Sequence, residues 1–173
     1  MLSLTSILAA TGAGALAGAV LGLVAGLLPA PARALVAMVA AAGVLAAALL
    51  DLPMPQLNRE TDQTLLHRGP YRWALNNAGQ LGLGFTSRIG FWTWYLVPVG
   101  IVLLGDWRLG AAAWGLYGLT RLAMSVAAAF AATSEERLGR ISVAMLSRRP
   151  LATRVARISA AVLAAALTLI AAV

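Results

Sequence analysis

Residues 4–28 read LTSILAATGAGALAGAVLGLVAGLL, an apolar stretch without a charged side chain. A transmembrane helix needs about 20 apolar residues to cross a hydrocarbon core of about 30 Å, because each residue adds about 1.5 Å to its length. The stretch is too long for the core of a cleaved signal peptide, and it has no basic region before it and no convincing cleavage context. We therefore predict a retained transmembrane helix here.

The rest of the composition also suits a lipid environment. Of the 173 residues, 61% are hydrophobic and 11% are charged, and the mean hydropathy is +0.84. Soluble domains are far less apolar, and a soluble core of this size could not hide so much apolar surface. The sequence therefore predicts an all-α fold, a polytopic transmembrane helical bundle that forms a single domain over residues 1–173. We expect about five spans, near residues 4–28, 34–50, 76–104, 109–132 and 158–173.

The third predicted span differs from the others. From Trp73 to Leu104 the chain is long and apolar, but Pro98, several polar residues and four glycines at positions 79, 82, 84 and 90 interrupt it. Unpaired backbone groups are tolerated at membrane depth only inside protein or beside a wet cavity. The pattern predicts a broken or tilted span, with a re-entrant segment as the open alternative.

The positive charge predicts an orientation. The net charge of +7 comes from arginine alone, and nine of the arginines fall in two predicted loops, residues 52–72 and 133–157. Cytoplasmic loops of membrane proteins are enriched in basic residues. We therefore expect the amino terminus and both loops in the cytoplasm of a bacterial inner membrane, with an interfacial amphipathic helix in the second loop. The arginines are expected to contact anionic lipid headgroups, and no nucleic acid is expected as a partner.

Few residues in the chain are suited to catalysis. There is no cysteine, and the one histidine, His67, lies in a predicted loop. Thiol chemistry is therefore excluded, and we predict neither a metal site nor a cofactor. Nucleotide-binding and nucleophile signatures are missing as well, so an enzyme is not the preferred class. An enzyme acting on lipid, with His67, Glu60 and Asp62 as acid/base groups, is the weakest alternative.

The first span carries glycines at strict four-residue spacing, Gly14, Gly18, Gly22 and Gly26. This spacing places a groove without side chains along one helix face, where another helix can approach closely. Close packing matters in lipid because the hydrophobic effect does not drive helices together there. The face is expected to pack inside the bundle or to bind a second copy or a partner protein.

Two arginines inside predicted spans, Arg88 and Arg121, need compensation. A guanidinium near the bilayer centre costs roughly 2.5–3.5 kcal/mol on the mildest scale. Arg88 can extend its side chain to the cytoplasmic interface. Arg121 lies too deep for that, so either a structural partner or a polar pathway for an anionic solute or headgroup is expected. Its partner could be Asp51 or Asp106 at span ends, a backbone carbonyl, or another subunit.

Aromatic residues bunch in the third span. Phe91, Trp92, Trp94 and Tyr95 lie within five positions of one another, and Trp107 and Trp114 follow. Tyrosine and tryptophan are enriched at membrane interfaces, where the ring is apolar and its polar atom is wet. Interfacial anchoring is the first expectation, and lining a substrate site is the second.

One segment resembles a known group of membrane proteins. Residues 55–72, then Asn77-Ala-Gly-Gln-Leu-Gly-Leu-Gly84 and Thr86, are similar to a stretch in small bacterial membrane proteins. These are grouped with the cytochrome-biogenesis (CcdA/DsbD-like) and sulfite-exporter-like families. The resemblance covers about 35 of the 173 residues. It implies a compact bundle with a glycine-broken helix near a central site, without the paired cysteines of the redox branch.

Two functions remain open at this stage. The first is a permease-like or channel-like component for a small, anionic solute. Its expected pathway residues are Arg88, Arg121, Asn77, Gln80, Gly82 and Gly84. The second is a non-catalytic scaffold or accessory subunit of a larger membrane complex, which would use the glycine face of the first span for docking. Because 173 residues enclose little lumen, we expect an oligomer or other membrane subunits as partners.

Overall fold

Helices account for most of the described chain. The computed structural model describes residues 2–55, 57, 67, 69–84, 86, 91–131 and 134–172. These residues contain no strand, so the all-α prediction is confirmed for them. The helices are α1 (Leu2–Gly26), α2 (Ala30–Leu49), α3 (Pro70–Leu83), a 3-10 helix (Trp92–Tyr95), α4 (Leu96–Leu104), α5 (Trp107–Ala131) and α6 (Glu135–Ala172).

The helices α1, α3 and α5 form the first of two groups. α1 packs most extensively against α5 and next against α3. α1 and α5 are antiparallel, because Gly14 lies against the backbone of Trp114 while Gly22 lies against that of Asp106. Glycine has no Cβ, so the two backbones touch directly along this contact.

The three helices of this group meet at Ala10. Its carbonyl oxygen lies where a Cβ on Gly82 of α3 or on Gly118 of α5 would stand. One turn before Gly82, Ala78 packs with Ala10 and Leu122 in a buried cluster. Since Leu122 lies one turn beyond Gly118 on antiparallel α5, α3 runs in the same direction as α1.

The helices α2, α4 and α6 form the second group. α2 contacts α6 most extensively and α4 next, whereas α4 also touches α1 and α5 and so joins the two groups. Small side chains dominate this interface, and they allow the helices to approach closely. The buried residues are Ala37, Ala41, Val44, Leu96, Val99, Ala160 and Ala164.

Two helices replace a continuous third span. α3 has 14 residues, and its C-cap is Gly84. The φ of Gly84 is +82°, which lies in a region that residues other than glycine rarely adopt. The 3-10 helix and α4 then continue along α1, since Ile101 lies at Gly110, the α5 residue that faces Gly18. The predicted break in this part of the chain is therefore confirmed.

A tight turn joins α4 to α5. Gly105 ends α4 in the left-handed conformation, with φ +60°, and the Arg33 side chain fills the place of a Cβ on it. The carboxylate of Asp106 accepts the backbone N–H groups of Arg108 at 2.7 Å and Leu109 at 3.0 Å. Asp106 thus caps α5 in the usual way for an aspartate before a helix.

Three of the described helices are long and apolar enough to cross a membrane. They are Leu4–Gly26, Ala30–Leu49 and Ser147–Ile170, and the shorter apolar segment is Trp92–Leu104. These assignments rest on length and composition. α5 has 25 residues but is less apolar, because Arg121 and hydroxyl side chains interrupt it.

The interfacial helix expected within residues 133–157 continues without a loop into the last predicted span. α6 is helical from Glu135 to Ala172, with Pro150 inside it, so no boundary falls at Ile158. Arginine, glutamate, leucine and methionine are good helix formers, which explains the continuity. Among the described side chains before residue 157, all but Thr153 and Ala156 are exposed, so this half of α6 extends past the bundle.

The other boundaries shift by smaller amounts. α2 begins at Ala30 and not near residue 34, because Pro31 fits the first turn of a helix, where no backbone N–H is needed. After α2, residues Leu52–Pro55 are not helical, and α3 begins at Pro70. Most of the predicted loop at 52–72 lies outside the described residues.

Candidate functional site at a helix break

The break after α3 is closed by a side chain and an aromatic ring. The Thr86 hydroxyl donates to the carbonyl oxygen of Gln80 at 2.8 Å, and the Gly84 backbone N–H donates to the same oxygen at 3.3 Å. The indole of Trp94 lies against Gly84, and a Cβ there would be 2.5 Å from its Cζ2 atom. Gly84 therefore serves both the left-handed turn and the close approach of the ring.

Arg121 reaches this break from α5. Its Nη1 atom donates to the Tyr117 hydroxyl at 2.7 Å and to the Gly84 carbonyl oxygen at 3.4 Å. The guanidinium also lies over the Tyr117 ring, 5.9 Å from its centroid. Arg121 is half-buried. The structure places beside it a backbone carbonyl, one of the partners considered from the sequence.

The aromatic side chains near the break form an internal cluster. Trp94 contacts Tyr95 edge to face at 4.8 Å, Trp114 edge to face at 5.7 Å and Tyr117 at 5.8 Å, all between ring centroids. Trp94 is 8% exposed and Trp114 is 6% exposed. The expectation of interfacial anchoring is wrong for these two rings, because helix packing encloses them; Trp107, at 47% exposure, lies on the surface.

Residues Leu52–Pro55, which follow α2, contact this aromatic cluster. Sequence reasoning did not predict this contact. The Trp92 indole N–H donates to the Leu52 carbonyl oxygen at 3.1 Å, and the Tyr95 hydroxyl donates to the Pro55 carbonyl oxygen. Met54 packs on the cluster of Trp94 and its neighbours. These contacts join residues 40 positions apart. The alternation of proline and apolar residues at positions 52–55 was the only sequence signal for an ordered segment.

The remaining candidate pathway residues are placed differently. Asn77 and Gln80 lie half-buried on α3, and Gln80 joins the break through its carbonyl oxygen. Gly82 lies against Ala10, so its place in the structure is helix packing. Arg88 lies outside the described residues. The structure thus brings Arg121, Gln80 and Gly84 together around one break.

Two of the three acid/base candidates lie outside the described residues. His67 is exposed, while Glu60 and Asp62 lie outside the described residues.

The glycine face of α1 is covered by the same chain. The residues that contact it are the backbone of α5 and of the turn before it, opposite Gly14, Gly18, Gly22 and Gly26. A Cβ on Gly18 would collide with the Gly110 carbonyl group, and one on Gly26 would lie 2.8 Å from the Gly105 carbonyl oxygen. This face is therefore not open to a second copy or to a partner protein.

Acidic groups with a described partner lie away from the break. Asp51 pairs with Arg157 of α6, and Glu136 pairs with Arg140 at 2.7 Å. The hydrogen bond from Arg157 to Asp51 holds the pKa of that carboxyl below its ordinary value of 3.8. Asp106 caps α5 at the end of the helix remote from Arg121. Two of the atoms that the Arg121 guanidinium contacts, the Tyr117 hydroxyl oxygen and the Gly84 carbonyl oxygen, are neutral.

Family models, curated proteins and solved structures give no match to this chain. The function proposed below therefore depends on the residues around Gly84 and on the cost of placing a charge beside them. Most of residues 55–72, where the resemblance noted above begins, lies outside the described residues. Residues 77–84, its second part, form the end of α3 and the break itself.

Proposed function

We propose that this chain is a multi-pass protein of a bacterial inner membrane, with five passes and a cytoplasmic amino terminus. Three long apolar helices support a membrane location. The pair α3 and α4 runs along α1, and α5 is antiparallel to it with 25 residues, which supports two further passes. In this orientation the exposed basic half of α6 lies in the cytoplasm, as the distribution of arginine in membrane proteins favours.

Within that frame, the protein is a permease-like or channel-like component for a small anionic solute, which binds at the helix break. The observation that carries this proposal is Arg121, a half-buried cation held by the Tyr117 hydroxyl and the Gly84 carbonyl oxygen. A broken helix beside a buried charge is the arrangement in which membrane transporters bind ions and solutes.

The positive charge of Arg121 supports this proposal. A neutral side chain such as glutamine could donate to the Gly84 carbonyl oxygen without the roughly 2.5–3.5 kcal/mol that a guanidinium costs at mid-membrane depth. The bond to this carbonyl is also long, at 3.4 Å, so it contributes little. An anion that displaces this carbonyl would accept a charge-assisted hydrogen bond from the guanidinium, which is stronger than the bond it replaces.

The test is anion flux into vesicles that contain the purified full chain. Arg121→Gln should lower the flux of a permeant anion at least tenfold while the helical content and the unfolding temperature stay close to wild type. Arg121→Lys should retain part of the flux, because it keeps the positive charge. The matched control is Arg149→Gln, since Arg149 is exposed on α6. Unchanged flux in a folded Arg121→Gln protein would refute a transport role.

A second candidate function is an accessory subunit of a larger membrane complex. The observation that favours it is the exposed first half of α6, where Arg137, Arg148, Arg149 and Arg154 extend past the bundle. A soluble acidic partner or anionic headgroups could bind there through charge. If this is the function, replacing Arg148 and Arg149 with glutamine abolishes retention of a native partner, and Arg121→Gln leaves retention intact.

A further inference from the structure

An apolar stripe runs along the outer side of α6. Its members, Leu151, Val155, Ile158 and Val162, follow one another at steps of three or four residues, so they lie on one face of the helix. Each of these side chains is more than half exposed. Ala160, which packs with residues of α2, lies on the opposite side of α6. The apolar stripe therefore faces away from the bundle.

Two arginines flank the apolar stripe. Arg148 and Arg154 lie about 60° to either side of Leu151, because successive residues of an α-helix are about 100° apart around its axis. Both side chains are exposed. Their neighbour Arg149 is also exposed, but it lies about 160° from Leu151, on the side of Ala160. The apolar stripe thus has a positive charge along each of its two edges.

The acidic partners of α6 belong to other arginines. In the part of the chain that the structure describes, the ion pairs of this helix join Glu136 to Arg140 and Asp51 to Arg157. The two arginines beside the apolar stripe are in neither pair. Their charges therefore face the surroundings of the helix, where an anion can approach them.

The ligand that fits this surface carries an anionic group and a long apolar chain together. The apolar stripe lies within Ser147–Ile170, the part of α6 that is long and apolar enough to cross a membrane. In the proposed orientation Arg148 and Arg154 lie at the cytoplasmic end of this segment, where basic residues attract anionic lipid headgroups. A soluble acidic protein would match the charges, but it would compete with lipid for an apolar surface that continues into the span.

We propose that this stretch of α6 binds an anionic phospholipid of the cytoplasmic leaflet. The guanidinium groups of Arg148 and Arg154 donate charge-assisted hydrogen bonds to the lipid phosphate, which arginine binds well because its planar group donates two parallel bonds. The apolar stripe lies along the acyl chains. This inference rests on the proposed membrane location and orientation, and it does not depend on the transport role of Arg121.

The test is lipid binding to the purified full chain in detergent, measured by native mass spectrometry. The probes are phosphatidylglycerol, which is anionic, and phosphatidylcholine with the same acyl chains, which has no net charge. Phosphatidylglycerol should bind at least about tenfold more tightly. Arg148→Gln and Arg154→Gln should each weaken its binding about fivefold, because each removes a charged donor to the phosphate. The matched control Arg149→Gln removes the same charge from the other side of the helix and should leave the affinity nearly unchanged.

Two further probes test the two parts of the ligand. Leu151→Ser should weaken the binding of both lipids, because it removes apolar contact with the acyl chains. No change in either lipid would contradict that contact. Inorganic phosphate should not displace phosphatidylglycerol, and displacement would show that the site binds the headgroup alone. The substituted positions are exposed, so the helical content by circular dichroism should stay close to wild type.

The outcomes separate this inference from the proposed function. Equal binding of the two lipids, or equal effects of Arg148→Gln and Arg149→Gln, would overturn the lipid site alone. If the arginine substitutions release a native acidic protein and leave phosphatidylglycerol binding intact, the ligand is a protein and the inference is wrong. A chain that stays monodisperse in buffer without detergent would refute the membrane location and this inference with it. Arg121→Gln should leave lipid binding unchanged, so its flux tests transport separately.

Discussion

Two helix pairs in this protein use small residues in different ways. In the α1–α5 pair, glycines bring backbone against backbone, so that Gly18 and Gly110 each face the other's carbonyl group. In the α2–α6 pair, alanine side chains such as Ala41 and Ala160 fill the interface. Lipid supplies no hydrophobic drive between helices, so both pairs depend on close contact. At the glycine contacts of the first pair no side chain can move aside, so substitution by a larger residue should destabilise this pair more than the second.

The α2–α6 pair has a second kind of contact at its end. Asp51, just after α2, accepts hydrogen bonds from Arg157 of α6, and both side chains are at least partly exposed. An exposed ion pair contributes little to stability, because water and salt screen it. The comparison therefore predicts a descending order of effects: backbone contact, alanine contact, ion pair.

The largest effect is expected for Gly18→Leu. A Cβ at this position collides with the backbone of Gly110, which cannot rotate away as a side chain can. Overpacking a core costs about 1–3 kcal/mol and sometimes more, and this substitution should reach or exceed the upper end. Unfolding by SDS titration in micelles, followed by circular dichroism, measures the free energy of unfolding. The control is Gly12→Leu on the same helix, where a Cβ meets nothing within 4 Å. Equal stability of the two variants would contradict direct backbone contact.

A smaller loss is expected for Ala160→Leu in the α2–α6 pair. Ala160 is 1% exposed and lies among side chains, so its neighbours can shift in part. We expect a loss of about 1–2 kcal/mol, within the range for added methylenes in a core. The same SDS titration applies, with Ala161→Leu on the exposed side of α6 as the control. If Ala160→Leu proves as damaging as Gly18→Leu, the distinction between the two pairs is lost.

The smallest effect is expected for Asp51→Asn, and it should depend on pH. Arg157 lowers the pKa of Asp51, so the pair stabilises the fold fully above the ordinary value of 3.8. That stabilisation is lost as the pH falls through the lower pKa of the folded state, where the carboxyl becomes protonated. Wild type and variant should therefore differ slightly at pH 7 and converge as the pH falls below the lowered pKa of Asp51. If wild type and Asp51→Asn still differ in their free energy of unfolding at a pH where the carboxyl is protonated, the carboxylate charge is not the cause of the difference. Glu136→Gln, which removes an exposed pair within one helix, is the control.

The sequence was most informative where the signal is local. The break after α3 was predicted from glycines and polar residues within about 30 positions, and it lies at Gly84, where φ is positive. A helix lies in the second polar segment, as expected. Its continuity with the last predicted span was not predicted, because the arginines and Pro150 indicated a boundary before Ile158, and α6 continues through it.

The candidate site was predicted only in part. Arg121 was identified from the cost of its charge, and a carbonyl was among its possible partners. That the carbonyl belongs to Gly84, 37 positions earlier, depends on how α3 and α5 pack. The burial of Trp94 and Trp114 also depends on helix packing. It could not be predicted, because the spacing of these residues along the chain fits an interfacial belt equally well. The alternation of proline and apolar residues at positions 52–55 could indicate an ordered segment, but not that Met54 contacts this cluster.

Composition and the length of the apolar stretches by themselves determined that this chain suits lipid, that it is helical, and that the helix is interrupted between Trp73 and Leu104. These properties follow from short segments, since each depends on residues that are neighbours in the chain. Tertiary structure alone decided that α5 covers the glycines of α1 and that Arg121 meets the broken helix. Those contacts join distant residues, and their geometry depends on the packing of the whole bundle, which no local pattern contains.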